Sequence, residues 1–133
     1  MIHAHAVRVY YEDTDAGGVV YHARYLAYAE RGRTEALRQA GAAHSELQRD
    51  HGLSFVVRRI EMDYLRPARL DDALIVRTGP WLVGGARVTV SQRIERDGVV
   101  LVAGRVMLAA VGTLGRPARI PARWVAALTG VSE

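Results

Sequence analysis

The chain has 133 residues, half of them hydrophobic and 24% charged, which suits one folded domain across residues 1–133 and excludes a disordered chain. It contains no cysteine, which excludes a disulfide scaffold, a thiol nucleophile, iron–sulfur ligation and cysteine-based zinc sites. Formal net charge is +4 and all 18 basic residues are arginine, so a lysine Schiff base and a P-loop lysine are excluded as well.

Val7, Val9 and Tyr11 alternate with Arg8 and Tyr10, which predicts a short strand. Asp13-Thr14-Asp15-Ala16-Gly17-Gly18 follows as a turn cluster. Ala23 to Ala40 holds good helix formers without proline, and Gly41 stands where a helix C-terminus favours glycine. The expected buried stripe is Leu26, Ala29, Gly32 or Arg33, Ala36 and Ala40, mostly small side chains that let a helix lie close to a sheet. A helical turn is expected around His44 to Arg49. Ser54 to Leu65 is strand-like, with Phe55 and Val57, then Ile60, Met62 and Tyr64. The phase slips at Arg58-Arg59, which predicts a bulge, and Pro67 ends the segment.

Ala73 to Leu82 and Ala86 to Arg96 predict two further strands, the latter with Val88, Val90 and Ile94 on one face. Asp97-Gly98 is a hairpin signal. Val99 to Val111 is a long apolar strand, broken by Gly104 and Arg105 and too short to span a bilayer. Ala122 to Leu128 predicts a terminal helical turn after the loop bracketed by Pro117 and Pro121. No secretory signal is expected at the start of the chain. The absence of cysteine fits a cytoplasmic protein.

This order is α+β: one strand, one long helix, then four strands in tight succession. Roughly five antiparallel strands with one helix on one face leave the other face open. Val99, Leu101 and Met107 are expected to lack cover, so self-association is expected.

Serine hydrolase chemistry finds no G-x-S-x-G elbow, and metal chemistry no H-E-x-x-H. No metal or cofactor is expected. Arginines could form a basic surface, but they are spread along the chain and no aromatic RNA-binding strand motif accompanies them, so nucleic acid is not expected as a partner. The informative stretch is Tyr10 to Tyr25, YYEDTDAGGVVYHARY. Asp13 or Asp15 can simply cap the turn or the helix. The same pattern also suits chemistry. Free N–H groups at a helix N-terminus polarise a carbonyl, a nearby carboxylate attacks it or activates water, and glycines allow close approach. Those parts fit acyl transfer to water.

The run from Val7 to His22, with its D-T-D-x-x-G-x-V-Y-H core, resembles the hotdog-fold acyl-CoA thioesterases. The similarity is to the Tol-Pal-associated (YbgC-like) branch of the 4-hydroxybenzoyl-CoA thioesterase family. The resemblance continues at Tyr25, Glu30–Glu35, Phe55–Arg58, Pro67–Asp72 and Gln92–Ile94. It implies one long central helix wrapped by the sheet, and a homodimer or homotetramer with active sites at subunit interfaces. It implies Asp15 as the catalytic carboxylate, Asp13 as structural, and the His22 N–H as the carbonyl-polarising donor. Related branches carry asparagine or tyrosine in place of His22, whose ring could orient water or Asp15. Gly18 lies in the same substrate-facing turn, and Tyr21 and Tyr25 join it as candidate substrate contacts. Arg58 and Arg59 are the named candidates for the coenzyme A phosphates, with Arg66 and Arg69 also considered by their place on the sheet. The implied activity is hydrolysis of acyl-CoA to free acid and CoA. Alternatives are an acyl carrier protein thioesterase and a non-catalytic module that binds acyl-CoA or a protein.

Overall fold

The computed structural model describes residues 2–130. Strands β1 (His3–Arg8), β2 (Ser54–Tyr64), β3 (Ala73–Gly84), β4 (Arg87–Arg96) and β5 (Val99–Val111) form one antiparallel sheet in the order β1-β3-β4-β5-β2. Helices are α1 (Arg24–Gln39), α2 (His44–His51) and α3 (Ala122–Thr129). The architecture is the expected α+β one, with a long helix against a five-stranded sheet. Two short helices, α2 and α3, form where the sequence predicts single helical turns. No helix is long and apolar enough to cross a membrane among the described residues.

Two local expectations change. The first strand lies earlier than Val7–Tyr11. It covers His3–Arg8 and pairs with β3, while Tyr11–Asp13 curl into a 3-10 turn. The Asp13 carboxylate accepts the Tyr10 N–H at 2.8 Å and pulls the chain out of extended form. The buried stripe of α1 holds Ala29, Gly32, Arg33 and Ala36 as predicted but differs at its ends. Tyr25, Tyr28, Ala29, Gly32, Arg33, Ala36 and Leu37 are buried, whereas Leu26 is exposed and Ala40 half-buried. The tyrosines supply large ring area inside, which a preference for small aliphatic residues overlooks.

The expected closeness of helix and sheet is present. A Cβ on Gly32 would stand 2.5 Å from Val76 Cγ1, so only glycine lets α1 settle at this depth on β3. The register of β2 against β5 breaks between Val57 and Arg59, where the sequence phase slips. That bulge keeps Phe55, Val57, Ile60, Met62 and Tyr64 all on the α1 side, opposite Ala110, Leu108, Val106, Gly104 and Val102. At the β4–β5 turn, Asp97 and Gly98 both have positive φ, 52° and 79°, as a tight hairpin requires.

Leu101 is fully buried rather than uncovered. The segment after β2 folds over it, with the Leu65 and Arg66 N–H groups donating to its carbonyl. Met107 is half-buried and Val99 exposed. Uncovered apolar surface lies mainly elsewhere. Helix α1 packs on β1 and β3, and β2 sits at the far edge of the sheet. Val57, Ile60 and Tyr64 therefore face the helix side with 47%, 37% and 47% exposure.

Candidate functional site

The Tyr10–Ala23 connection is a rigid, hydrogen-bonded loop. Asp13 is buried and ties its two ends together: Oδ2 accepts from Tyr10 N–H, and its carbonyl accepts from Tyr21 N–H at 2.9 Å. Its Oδ1 stands 3.4 Å from Arg24 Nε at the start of α1. The Tyr28 phenol is pushed up in pKa by burial and by this carboxylate, so it stays neutral. Asp13 is a structural acid.

Asp15 lies two residues on and is exposed. Its N–H donates to Val19 O and its carbonyl accepts Gly18 N–H, which closes a small hairpin flanked by the Thr14–Val20 bridge. Gly18 has φ of 78°, a value that favours glycine at this turn. One carboxylate oxygen, Oδ1, accepts the Gly17 N–H at 2.8 Å. The other has no protein partner among the described residues. Val20 N–H donates to Ala68 O, and Val19 bridges Arg69, so the hairpin is fixed to the segment between β2 and β3.

Neither aspartate caps α1. The cap position is Ala23, without any side-chain hydrogen bond. Arg24 N–H bonds Tyr21 O and Leu26 N–H bonds Ala23 O, while the His22 and Ala23 N–H groups meet no acceptor among the described residues. Free N–H groups at the positive end of a 16-residue helix are donors for an incoming oxygen.

Beside this helix start is a recess of about 270 Å³ lined by Val20, His22, Tyr25, Tyr64, Leu65 and Arg66. The His22 ring lies 4.5 Å from the Tyr21 ring and 6.4 Å, edge-on, from Tyr64. Tyr64 in turn leans on Tyr25 at 5.6 Å. Tyr25 is buried, and its Oη accepts the Ala68 N–H at 3.0 Å, so it is a fixed strut with one face on the recess.

Of the sequence candidates, the fold gathers Asp15 and Gly18 on one hairpin and Tyr21, His22 and Tyr25 at the helix start. Arg58 and Arg59 lie apart from the recess. Arg58 lines a groove on the opposite sheet face with Leu82, Arg87 and Met107, and Arg59 ion-pairs with Glu61 at 2.7 Å. The bulge explains both, because it inserts these residues where β2 turns its side chains away from α1. Arg69 lies next to the hairpin but outside the recess lining. Arg66 is the arginine on the recess itself, steadied by a bond from its guanidinium to Val100 O. Tyr64 is a wall residue that sequence reasoning placed only in a strand. Its signal was the alternation along β2, which puts the last inward residue beside the helix start.

The thioesterase superfamily profile matches residues 17–103. An acyl-CoA thioesterase YbgC from Haemophilus influenzae is 49% identical over 79% of this chain and 77% of its own. An acyl-CoA thioester hydrolase YbgC from Escherichia coli O6:H1 is 43% identical over 90% of each chain. The crystal structure of a probable thioesterase from Bartonella henselae superposes with a TM-score of 0.85 at 40% identity, over 91% of this chain and all of that one. The sheet wrapped on α1 is the hotdog fold of these thioester hydrolases, and by sequence and structure together the chain belongs to the thioesterase superfamily.

Proposed function

We propose that this protein hydrolyses acyl-CoA thioesters, with Asp15 as the reacting carboxylate and the His22 N–H as the carbonyl-polarising donor. The observation that carries this reading is the pairing of an exposed, half-free carboxylate on the Gly17–Gly18 hairpin with an uncapped helix start. An Asp15 oxygen either takes a proton from water as the water oxygen attacks the thioester carbon, or attacks that carbon itself. In both routes negative charge grows on the carbonyl oxygen, and a preorganised N–H at the helix start stabilises it without moving. Collapse then breaks the carbon–sulfur bond and releases CoA thiolate. In the first route the protonated Asp15 returns the proton to sulfur. In the second, water cleaves the mixed anhydride and restores the carboxylate.

The acyl group or the thioester arm takes the recess beside Tyr25 and Tyr64, with Gly18 and Tyr21 as further substrate contacts. Arg66 is the arginine best placed for a coenzyme A phosphate, since it is on the recess rim, whereas Arg58 and Arg59 are not. Reaction between subunits of a homodimer or homotetramer belongs to the same proposal. A thiol-release screen over acyl-CoA and acyl carrier protein thioesters tests it. Turnover of acyl-CoA is expected. Activity confined to carrier-protein substrates would redirect the function, and no turnover of either would leave a binding module.

A further inference from the structure

Ala68, fully buried, is an anchor common to both halves of the site. Its carbonyl accepts the Val20 N–H at 2.9 Å, which holds the Asp15 hairpin. Its N–H donates to Tyr25 Oη at 3.0 Å, which holds the first turn of α1 beside His22. The hairpin and the helix start thus hang on one residue of the segment between β2 and β3.

The backbone on either side of Ala68 is tied to a single ion pair. Arg96 Nη1 donates to Asp72 Oδ2 at 2.6 Å and, more weakly, to Pro67 O at 3.3 Å. The same Asp72 oxygen accepts the Arg69 N–H at 2.8 Å. Both partners stand on fixed backbone. Arg96 ends β4, the middle strand of the sheet, and pairs with Val99 across the Asp97-Gly98 turn. The Asp72 carbonyl accepts the Val9 N–H at 3.0 Å. Burial disfavours charge on the Asp72 carboxyl, but the Arg69 N–H and the Arg96 guanidinium outweigh it and hold its pKa below the usual value, so the pair is charged at neutral pH.

Neither Asp72 nor Arg96 lines the recess. Their side chains are 23% and 32% exposed, and an ion pair so open to solvent adds little to global stability. What it fixes is position, and a displacement of about 1 Å between reacting groups can cost roughly 10²-fold in rate. We propose that Asp72 and Arg96 are positioning residues for thioester hydrolysis: their ion pair fixes the 67–69 backbone and, through Ala68, sets the Asp15 carboxylate against the His22 N–H. The catalytic consequence rests on the hydrolase reading, whereas the clamp itself is measurable without turnover.

The test combines acyl-CoA kinetics with amide hydrogen exchange on the intact protein. Arg96→Met should lower kcat about 10-fold and leave KM within about 2-fold, because the side chain orients the reacting groups without touching substrate. Arg96→Lys should keep most of the wild-type kcat, since both bonds leave one nitrogen that an ammonium can replace. Arg96→Met/Asp72→Ala should be no slower than the slower single variant, because the two residues act as one unit. Arg105→Met, which removes an ion pair with Glu61 on the sheet face away from α1, should leave kcat unchanged. Exchange at the Val20 and Ala68 amides should quicken at least ~10-fold in Arg96→Met while the β5 amides keep their protection. Wild-type kcat in Arg96→Met, a loss confined to KM, or no rescue in folded Arg96→Lys would overturn the positioning role. Unchanged exchange at Val20 and Ala68 would remove the clamp even where the wild type turns over thioesters. No thioester turnover by the wild type would instead remove the hydrolase reading, and the catalytic role of the pair with it, whatever the exchange shows.

Discussion

The Gly17 N–H donates to Asp15 Oδ1 across 2.8 Å, and this bond leaves Oδ2 as the oxygen without a protein partner. One oxygen anchors the carboxylate and the other is free to react. Asp13, two residues earlier, has the reverse arrangement, with both oxygens engaged and the side chain buried.

Asp15→Asn should therefore abolish turnover while the fold survives. Asparagine keeps an oxygen for Gly17 N–H but loses the charge needed to attack carbon or take a proton. The expected fall in kcat is at least ~10²-fold, the lower end for losing a positioned base. Asp13→Asn should instead lower the melting temperature, since it weakens the contacts to Tyr10 and Arg24, and should retain more activity in the folded fraction. Thioesterase assays on both variants with thermal melts alongside decide the matter. Near-wild-type kcat in Asp15→Asn would defeat the assignment.

Arg66→Ala should raise KM for acyl-CoA by roughly 10-fold, the scale of one charge-assisted contact, with kcat little changed. An acyl-pantetheine substrate, which lacks the nucleotide phosphates, should respond much less. Arg58→Ala and Arg59→Ala are expected to leave both KM values near wild type in view of their distance from the recess. Equal KM changes for both substrates in Arg66→Ala would remove the phosphate role.

Gly104→Ala should be strongly destabilising. Gly104 on β5 is opposite Met62 on β2. An added Cβ would run into Glu61 O and stand 2.9 Å from Met62 Cα, both backbone atoms that cannot swing aside. Separating β5 from β2 to make room is expected to cost about 3 kcal/mol or more and to lower Tm by ~10 °C. Gly115→Ala, in a loop with open space around it, serves as the comparison and should cost less, its strain being confined to a positive φ. A melt of Gly104→Ala within a degree or two of wild type would contradict the tight β2–β5 contact.

Self-association is expected through the uncovered strip of Leu26, Val57, Ile60 and Tyr64 along α1 and the edge strand β2. An eleven-residue edge strand with apolar residues open on its helix side calls for a partner. Sedimentation at micromolar concentration should give a dimer or tetramer mass, and Ile60→Glu should shift it toward monomer. A monomer mass for the wild type would count against this surface as an interface.

Periodicity and turn chemistry sufficed for the α+β class, the long helix, the β2 bulge and the Asp97-Gly98 hairpin, because each depends on neighbours in the chain. The Asp15 hairpin was legible for the same reason, as Gly17, Gly18 and Val19 supply all its internal bonds. The exact buried face of α1 was not, because Tyr25 is admitted to the interior by a hydrogen bond from Ala68, 43 residues away. Which arginine meets the recess was also undecidable from sequence. Arg58, Arg59 and Arg66 look alike along the chain, and only the bulge in β2 and the fold of the following segment turn two away and bring the third to the helix start. The Arg33–Gln92–Thr78 network lay equally out of view, since its members come from α1, β4 and β3 and meet only when the helix sinks onto the sheet at Gly32. Local bonding is written in adjacent residues, whereas burial and long-range pairing exist only after the chain has packed against itself.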